Sequence, residues 1–310
     1  MKLARALVPS LLLLSACSPA ATSAGANLLP RSGHAVAGPV IRVASFDFPE
    51  SILLAQIYGR ALAAAGYPVR LELNVGEREI VEPALQQGLV DLVPEYLGSA
   101  LAFVGLGKEM AGADPATAGQ ELTALFAARG IEVMTPAPAQ DQNVVAVTAA
   151  TAQADDLRTV SDLAPFASRM TFGGPPECPQ RPFCLPGLRR VYGLNFESFV
   201  PLDAGGPYTV QALERGDVQA ALLFSTDGAI QTMGFTVLRD DRGLQRAENV
   251  TPVVRRAIVN AYGLRLEQTL DNVSAMLTTD ALTALNVKLA AGGSAATVAA
   301  DWLEEHGVGR

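Results

Sequence analysis

Two hydrophobic spacings alternate over residues 40–143. Short apolar runs at 40–46, 69–75, 91–93 and 131–134 predict buried strands. Helices are predicted from Pro49, at 77–87 before Gly88, and at about 114–129. The first helix shows the i, i+3, i+4 spacing of one buried face at Leu54, Ile57, Tyr58, Ala61, Leu62 and Ala65. This strand–helix order predicts a mostly parallel sheet with helices on both faces.

A second unit with the same alternation begins near residue 144. Strands are predicted at 144–148, 169–172, 196–200, 218–224 and 236–238. Helices are predicted near 161–166, 185–192, 209–215, 266–276, 280–291 and 295–306. We therefore expect a two-lobed α/β protein, in which residues 40–143 and 229–310 form lobe 1 and residues 144–228 form lobe 2.

The N-terminus is typical of an exported protein. Lys2 and Arg5 precede an apolar stretch at 6–14, which is too short to span a bilayer. The sequence Leu-Ser-Ala-Cys at 14–17 resembles a bacterial lipobox, in which the Cys17 thiol is the lipidation site. An ordinary signal peptide with an incidental Cys is the alternative. We expect a signal peptide at 1–16, a lipid-anchored flexible tether at 17–39, and a body outside the cytoplasmic membrane.

Composition excludes several function classes. The 310 residues carry 23 basic and 31 acidic side chains, so no basic surplus exists to neutralise nucleic acid. Of the two His residues, His34 lies in the expected tether and His306 near the C-terminus, so we expect no metal site. The sequence has no G-x-S-x-G elbow, and Gly105-Leu-Gly-Lys-Glu109 lacks the Ser or Thr of a P-loop. We therefore expect neither a cofactor nor an enzyme.

Cys178 and Cys184 remain as an even pair in a Pro-rich loop. An oxidising compartment favours a disulfide that closes this loop. A metal site or a redox-active pair is the alternative, although a metal would need two further ligands.

Three segments carry a family resemblance. They are Val43-Ala-Ser-Phe-Asp-Phe-Pro-Glu-Ser51, the stretch from Gly76 through Pro94-Glu-Tyr-Leu-Gly-Ser99, and the stretch from Gln211 through Phe224-Ser-Thr-Asp-Gly228. Together they resemble the substrate-binding proteins of ABC importers for glycine betaine, choline, carnitine and proline. The resemblance implies a Venus-flytrap fold of type II with two hinge crossings. It also implies a small osmolyte as ligand, a membrane permease and ATPase as partners, and a monomeric receptor.

The resemblance also implies site residues. Tyr96 matches a cage tyrosine, Ser99 a neighbouring hydroxyl, and Ser51 a position that is often a polar amide. A quaternary ammonium cannot donate hydrogen bonds and is held over aromatic faces. The sequence has Asn143 and Val210 where relatives place tyrosines. Phe48, Tyr208 or Phe224 is then expected to complete the cage, or Asn143 to hydrogen-bond a hydroxylated or zwitterionic solute.

The segment Ser225-Thr226-Asp227 is expected at the return crossing between the lobes, as a polar contact to the ligand or as a helix N-cap. Two other interpretations of the chain remain open. One is the same fold with a different small polar solute, and the other is a secreted enzyme that uses carboxylates in the cleft.

Overall fold

The computed structural model describes residues 28–31, 34–105 and 114–308. The expected signal peptide at 1–16 and the lipidation site Cys17 lie outside these residues. Within them, no helix has the length and apolarity needed to cross a membrane.

The first sheet has five strands in the order β2-β1-β3-β10-β4. Its strands are β1 (Ile41–Ala44), β2 (Val69–Glu72), β3 (Leu92–Tyr96), β4 (Ile131–Val133) and β10 (Val250–Arg255). β1 pairs in parallel with β2 and β3, whereas β10 runs antiparallel between β3 and β4. β10 contains Pro252 and was not predicted from the sequence.

The second sheet has the order β7-β6-β8-β5-β9. Its strands are β5 (Asn143–Val147), β6 (Thr171–Gly174), β7 (Ser198–Pro201), β8 (Ala220–Phe224) and β9 (Thr236–Leu238). β6 pairs in parallel with β7 and β8, and β5 is antiparallel to β8 and β9. Each sheet therefore has a parallel half and at least one antiparallel strand. The two-lobed α/β architecture is confirmed.

Helices flank both sheets. They are α1 (Pro49–Ala64), α2 (Arg78–Gln87), α3 (Leu97–Val104), α4 (Pro115–Ala127), α5 (Ala149–Ala154), α6 (Leu185–Tyr192), α7 (Pro207–Arg215), α8 (Gly228–Met233), α9 (Arg256–Tyr262), α10 (Leu264–Met276), α11 (Thr279–Ala290) and α12 (Ala295–Glu305). Single 3₁₀ turns lie at Val160–Leu163 and Ala167–Arg169. α1 is the central helix of lobe 1, and the Tyr58 hydroxyl on it hydrogen-bonds Ser274 Oγ of α10 at 2.9 Å.

Part of the expected tether lies on the body. The amide of Leu29 donates to Val69 O, and the amide of Val36 donates to Gly66 O. The Tyr262 hydroxyl donates to Pro39 O, and its ring lies against Gly38. Residues 28–31 and 34–39 are thus attached to lobe 1, whereas the sequence predicts a flexible segment. The prediction failed here because these contacts are made by backbone groups, which a Ser/Ala/Gly/Pro-rich composition does not indicate.

The passage of the chain between the lobes differs from the expected division at residue 228. β9 pairs with β5 in the second sheet, although it lies beyond that division. Gln245 Nε2 still donates to Phe183 O of lobe 2, whereas Ala247 O accepts from Gly98 N of lobe 1. The last return to lobe 1 therefore falls between residues 245 and 247.

Candidate functional site

A cavity of about 380 Å³ lies between the two lobes. The residues after β1, β6 and β7, the last residues of β3 and β8, and the first residue of β5 line it. Ligand sites in open α/β sheets occur at the carboxyl ends of parallel strands, and this cavity has that position in both sheets. Its aromatic lining is Phe46, Phe48, Tyr96, Phe103, Phe183 and Phe224.

An aromatic cluster joins the two lobes at this cavity. The Phe48 ring centroid is 5.1 Å from that of Phe224 in lobe 2 and 5.9 Å from that of Tyr96 in lobe 1. Phe46 stacks on Phe48 at 6.0 Å with an interplanar angle of 7°. These separations are those of favourable aromatic pairs. The cavity therefore has an aromatic wall supplied by both lobes.

A buried polar network fixes the Tyr96 ring from behind. The Tyr96 hydroxyl donates to Glu50 Oε1 at 2.7 Å, and the other Glu50 oxygen accepts from Thr226 Oγ1 and Asn286 Nδ2. Burial raises the pKa of Glu50, and these hydrogen bonds offset part of that rise. Burial also raises the pKa of Tyr96 well above its ordinary value, and the nearby carboxyl groups of Glu50 and Asp141 add to it. Tyr96 is thus a neutral hydrogen-bond donor.

Arg78 lies under the aromatic wall. Its guanidinium donates twice to the Glu95 carboxylate, with both distances 2.8 Å, and its Cζ is 4.9 Å from the Phe46 ring centroid. Burial would lower the pKa of Arg78, but Glu95 outweighs burial and raises it. Burial and the nearby Glu95 raise the pKa of Glu82 to about 9, which keeps Glu82 neutral beside this pair. The charge of Arg78 is therefore already balanced.

Ser99 hydrogen-bonds to the buried carboxyl group of Glu248. Its amide donates to Glu248 Oε2 at 3.0 Å and its Oγ donates to Glu248 Oε1 at 2.8 Å. Burial raises the pKa of Glu248 to about 7, and the two hydrogen bonds from Ser99 oppose the rise. Both residues line the cavity.

The disulfide loop of lobe 2, residues 178–184, also lines the cavity. Cys178 and Cys184 form a disulfide, with Cα atoms 5.3 Å apart. Arg181, inside this loop, donates to Glu79 Oε2 of α2 in lobe 1 at 2.7 Å. One ion pair therefore spans the two lobes at the cavity.

Four of the predicted ligand contacts line the cavity: Phe48, Tyr96, Ser99 and Asn143. The other five do not. Tyr208 is 71% exposed on α7, because the helix turns this position outward. Ser51 Oγ accepts from the Phe46 amide and so fixes the loop before α1.

Ser225, Thr226 and Asp227 hold the crossing together instead. Ser225 Oγ accepts from Gln142 N, and Thr226 N donates to Asp141 Oδ1. Asp227 caps α8 by accepting from Ala229 N at 2.8 Å, as one of the two sequence interpretations predicts. Burial raises the pKa of Asp227 to about 6.

The sequence patterns do not indicate five of the cavity-lining residues: Phe46, Phe103, Arg78, Arg181 and Glu248. Phe46 lies in a segment that carries the resemblance, two residues before Phe48. Its closeness to Phe48 in the sequence could have indicated that it also lines the cavity. Glu248 and Arg181 reach the cavity only because of the crossing and the disulfide loop, and no local pattern indicates this.

The charged lining favours a cation. Its acidic members are Asp47, Glu77, Glu79, Asp141, Glu177 and Glu248, and its basic members are Arg78 and Arg181. Both arginines are paired with carboxylates. Within the described residues, no group of three or more His, Cys, Asp and Glu is arranged to hold a metal ion. The arrangement can enclose a small positively charged solute against aromatic faces.

Comparison with known proteins finds relatives over most of this chain. A family model described as the substrate-binding domain of ABC-type glycine betaine transport systems matches residues 39–305. The glycine betaine-binding protein YehZ of Escherichia coli K12 is 28% identical over 278 residues, which cover 86% of this chain and 90% of YehZ. The glycine-betaine-binding protein of Pseudomonas aeruginosa is also 28% identical over 278 residues, with 86% of this chain and 88% of that protein covered.

A solved structure supports the fold. The crystal structure of a glycine betaine/carnitine/choline ABC transporter protein has a TM-score of 0.68 and 23% sequence identity. The alignment covers 87% of this chain and all of that chain.

Proposed function

The chain belongs to the family of substrate-binding domains of ABC-type glycine betaine transport systems, and we propose that its interlobe cavity captures one quaternary ammonium osmolyte of the glycine betaine or choline type. It holds the solute between the lobes and delivers it to the permease, and the permease's ATPase subunits drive uptake. The protein performs no chemistry on the solute.

One observation carries the choice of ligand class. Phe48 of lobe 1 contacts both Tyr96, in the same lobe, and Phe224, in lobe 2, so the two lobes complete one aromatic surface where they meet. Cation–π attraction to such a surface contributes about 2 kcal/mol when the cation is desolvated. The carboxylates of the lining add attraction for the same charge.

We propose that Asn143 binds the polar groups of the solute outside its ammonium group. It is half-buried at the start of β5 and lines the cavity from lobe 2. Its amide both donates and accepts hydrogen bonds, so it suits a hydroxyl or a carboxylate on the solute. A different small polar solute would use the same contact.

The location of the protein belongs to the same proposal. Signal peptide removal and acylation of Cys17 would hold the mature, monomeric body at the outer face of the cytoplasmic membrane. There it would meet the solute before the permease does. Labelling with a radioactive fatty acid, compared between the native chain and Cys17→Ala, tests the anchor.

Isothermal titration of the purified protein with glycine betaine, choline, carnitine, proline and ectoine tests ligand capture. We expect saturable binding of at least one quaternary ammonium, with one solute per chain. No heat with any of the five would overturn the proposal. Mass spectrometry of the solute after prolonged incubation should recover it unchanged, whereas a new product would establish the cleft enzyme.

A matched pair of tyrosine variants localises the binding. Tyr96→Ala should weaken binding at least tenfold, about 1.4 kcal/mol, because it removes a ring from the cavity wall. Tyr208→Ala is the control, since that side chain is exposed and outside the cavity lining. Equal dissociation constants for the two variants would show that Tyr96 does not contact the solute.

A further inference from the structure

Two buried carboxyl groups meet at the junction of the lobes. Glu50 comes from the start of α1 and Asp141 from the segment that leads into β5, and both are at most 5% exposed. Thr226 contacts both of them: its Oγ1 donates to Glu50 Oε2, and its amide donates to Asp141 Oδ1 at 2.9 Å. We call Glu50 and Asp141 the buried acid pair.

The hydrogen bonds of this pair leave one oxygen without a donor. Asp141 Oδ1 accepts from Thr226 N and from Ser225 Oγ, but Asp141 Oδ2 is buried and accepts from no group of the described chain. Thr226 joins the two carboxyl groups, since its Oγ1 donates to Glu50 and its amide to Asp141, and both members of the pair are hydrogen-bond acceptors when ionised. Two adjacent buried carboxylates with an unsatisfied oxygen are stabilised by a shared proton.

The groups around the pair do not supply a compensating cation. β3 contributes the Tyr96 hydroxyl, α11 the Asn286 amide, and the crossing at the start of α8 contributes Thr226 and Asp227. Every hydrogen bond that the described residues make to Glu50 and Asp141 comes from a hydroxyl, an amide or a backbone N–H. Burial and mutual repulsion then raise the pKa of Asp141 well above its usual range.

The pair is linked to the cavity by two routes. Asp141 itself lines the cavity, and Tyr96 lines it while its hydroxyl donates to Glu50. A cation against the aromatic wall would therefore sit beside the pair and favour its doubly ionised form.

We propose that Glu50 and Asp141 share one proton in the empty cleft and release it to solvent when a cationic solute binds, so that Asp141 becomes the carboxylate that faces the solute's charge. This inference rests on the proposed function. Capture is then linked to pH: affinity for a fixed-charge cation rises with pH, by at most about tenfold per pH unit while the pair still holds its proton.

Calorimetry with tetramethylammonium chloride tests the proton release directly, because this probe has a fixed charge and no titratable group. Titrations at about pH 7 in phosphate and in Tris, which differ in ionisation enthalpy, should give a heat difference that corresponds to release of about one proton per bound cation. Binding without any buffer-dependent heat would overturn the inference while leaving the proposed function intact. Absence of binding by every solute in the panel above would overturn the proposed function itself.

Three variants assign the proton. Asp141→Asn keeps the Oδ1 acceptor for Thr226 N and should remove most of the release. Asp227→Asn keeps the α8 cap and should retain the release. Glu248→Gln alters the other buried acid of the lining and should retain most of it. Loss of the release in Glu248→Gln with retention in Asp141→Asn would overturn the assignment.

A measurement on the unliganded protein keeps the test independent of affinity. Infrared difference spectra between the native chain and Asp141→Asn at about pH 7 should show the carbonyl stretch of a protonated carboxyl group that only the native chain has. Glu50→Gln should remove the same band, since either substitution destroys the shared proton. A difference spectrum without that band contradicts the proposal.

Discussion

Replacement of Glu248 by Gln should make the free energy of unfolding less dependent on pH. Glu248 is 3% exposed, and burial raises its pKa from 4.5 to about 7. The unfolded chain loses this proton near pH 4.5, whereas the folded chain holds it up to about pH 7. The stabilisation from the bound proton is therefore complete below pH 4.5 and is lost as the pH rises through about 7.

The magnitude follows from the two pKa values. A difference from 4.5 to about 7 is worth about 3 kcal/mol in total, and most of it falls between pH 5 and pH 8. Gln can keep both contacts to Ser99, since its Oε1 accepts from the Ser99 amide and its Nε2 donates to Ser99 Oγ. The variant therefore removes the titration and leaves the packing in place.

Urea unfolding at several pH values between 5 and 8 measures this. The free energy of unfolding of Glu248→Gln relative to the native chain should rise by roughly 2 to 3 kcal/mol between pH 5 and pH 8. Glu304→Gln on the exposed face of α12 is the control for removal of a carboxyl group as such, and its difference from the native chain should stay flat. A flat difference for Glu248→Gln as well, or one that falls with pH, would refute the reasoning.

Three further predictions concern the disulfide loop and the packing of the helices. Reduction of the Cys178–Cys184 bond, or replacement of both residues by Ser, should destabilise the protein by about 2 kcal/mol in chemical unfolding. The reason is that it frees a short loop, in which the two Cys are six residues apart. Equal stability with and without reductant would contradict this. Arg181→Gln removes the ion pair between the lobes and should weaken solute binding about two- to fivefold in calorimetry, and unchanged affinity would show that the pair contributes nothing. Gly228→Ala should lower stability by about 1–3 kcal/mol, because the added Cβ would lie 2.6 Å from the backbone of α11. Gly119→Ala, which meets no atom within 4 Å in the interior of α4, should instead raise it by about 0.5–1 kcal/mol, and a melting experiment that ranks the two variants in the opposite order would refute the packing argument.

Much of the fold was predictable because its signals are local. The predicted helix at 185–192 coincides with α6, and the predicted strand at 236–238 coincides with β9. β10 and α3 were missed: β10 contains a proline, and α3 follows β3 without an intervening turn residue. The antiparallel insertion of β10 between β3 and β4 depends on the return of the chain from lobe 2, which no short pattern records.

The cavity was predictable only in part. Phe48 and Tyr96 follow or end strands of the first sheet, so strand prediction brings them to one edge. Tyr208 is near in sequence to the expected position, but the phase of α7 turns it to the surface. Thr226 donates hydrogen bonds to Glu50 and Asp141 and does not line the cavity. Buried carboxyl groups without donors cost free energy, whereas polar groups in a cleft can hydrogen-bond to water.

A crystal structure of the protein with a bound quaternary ammonium solute is the most direct test of capture between the lobes. We predict a quaternary nitrogen in the interlobe cavity, within about 6 Å of the ring centroids of Phe48, Tyr96 and Phe224. A solute bound outside this cavity, or one whose ammonium group contacts none of the three rings, would contradict it.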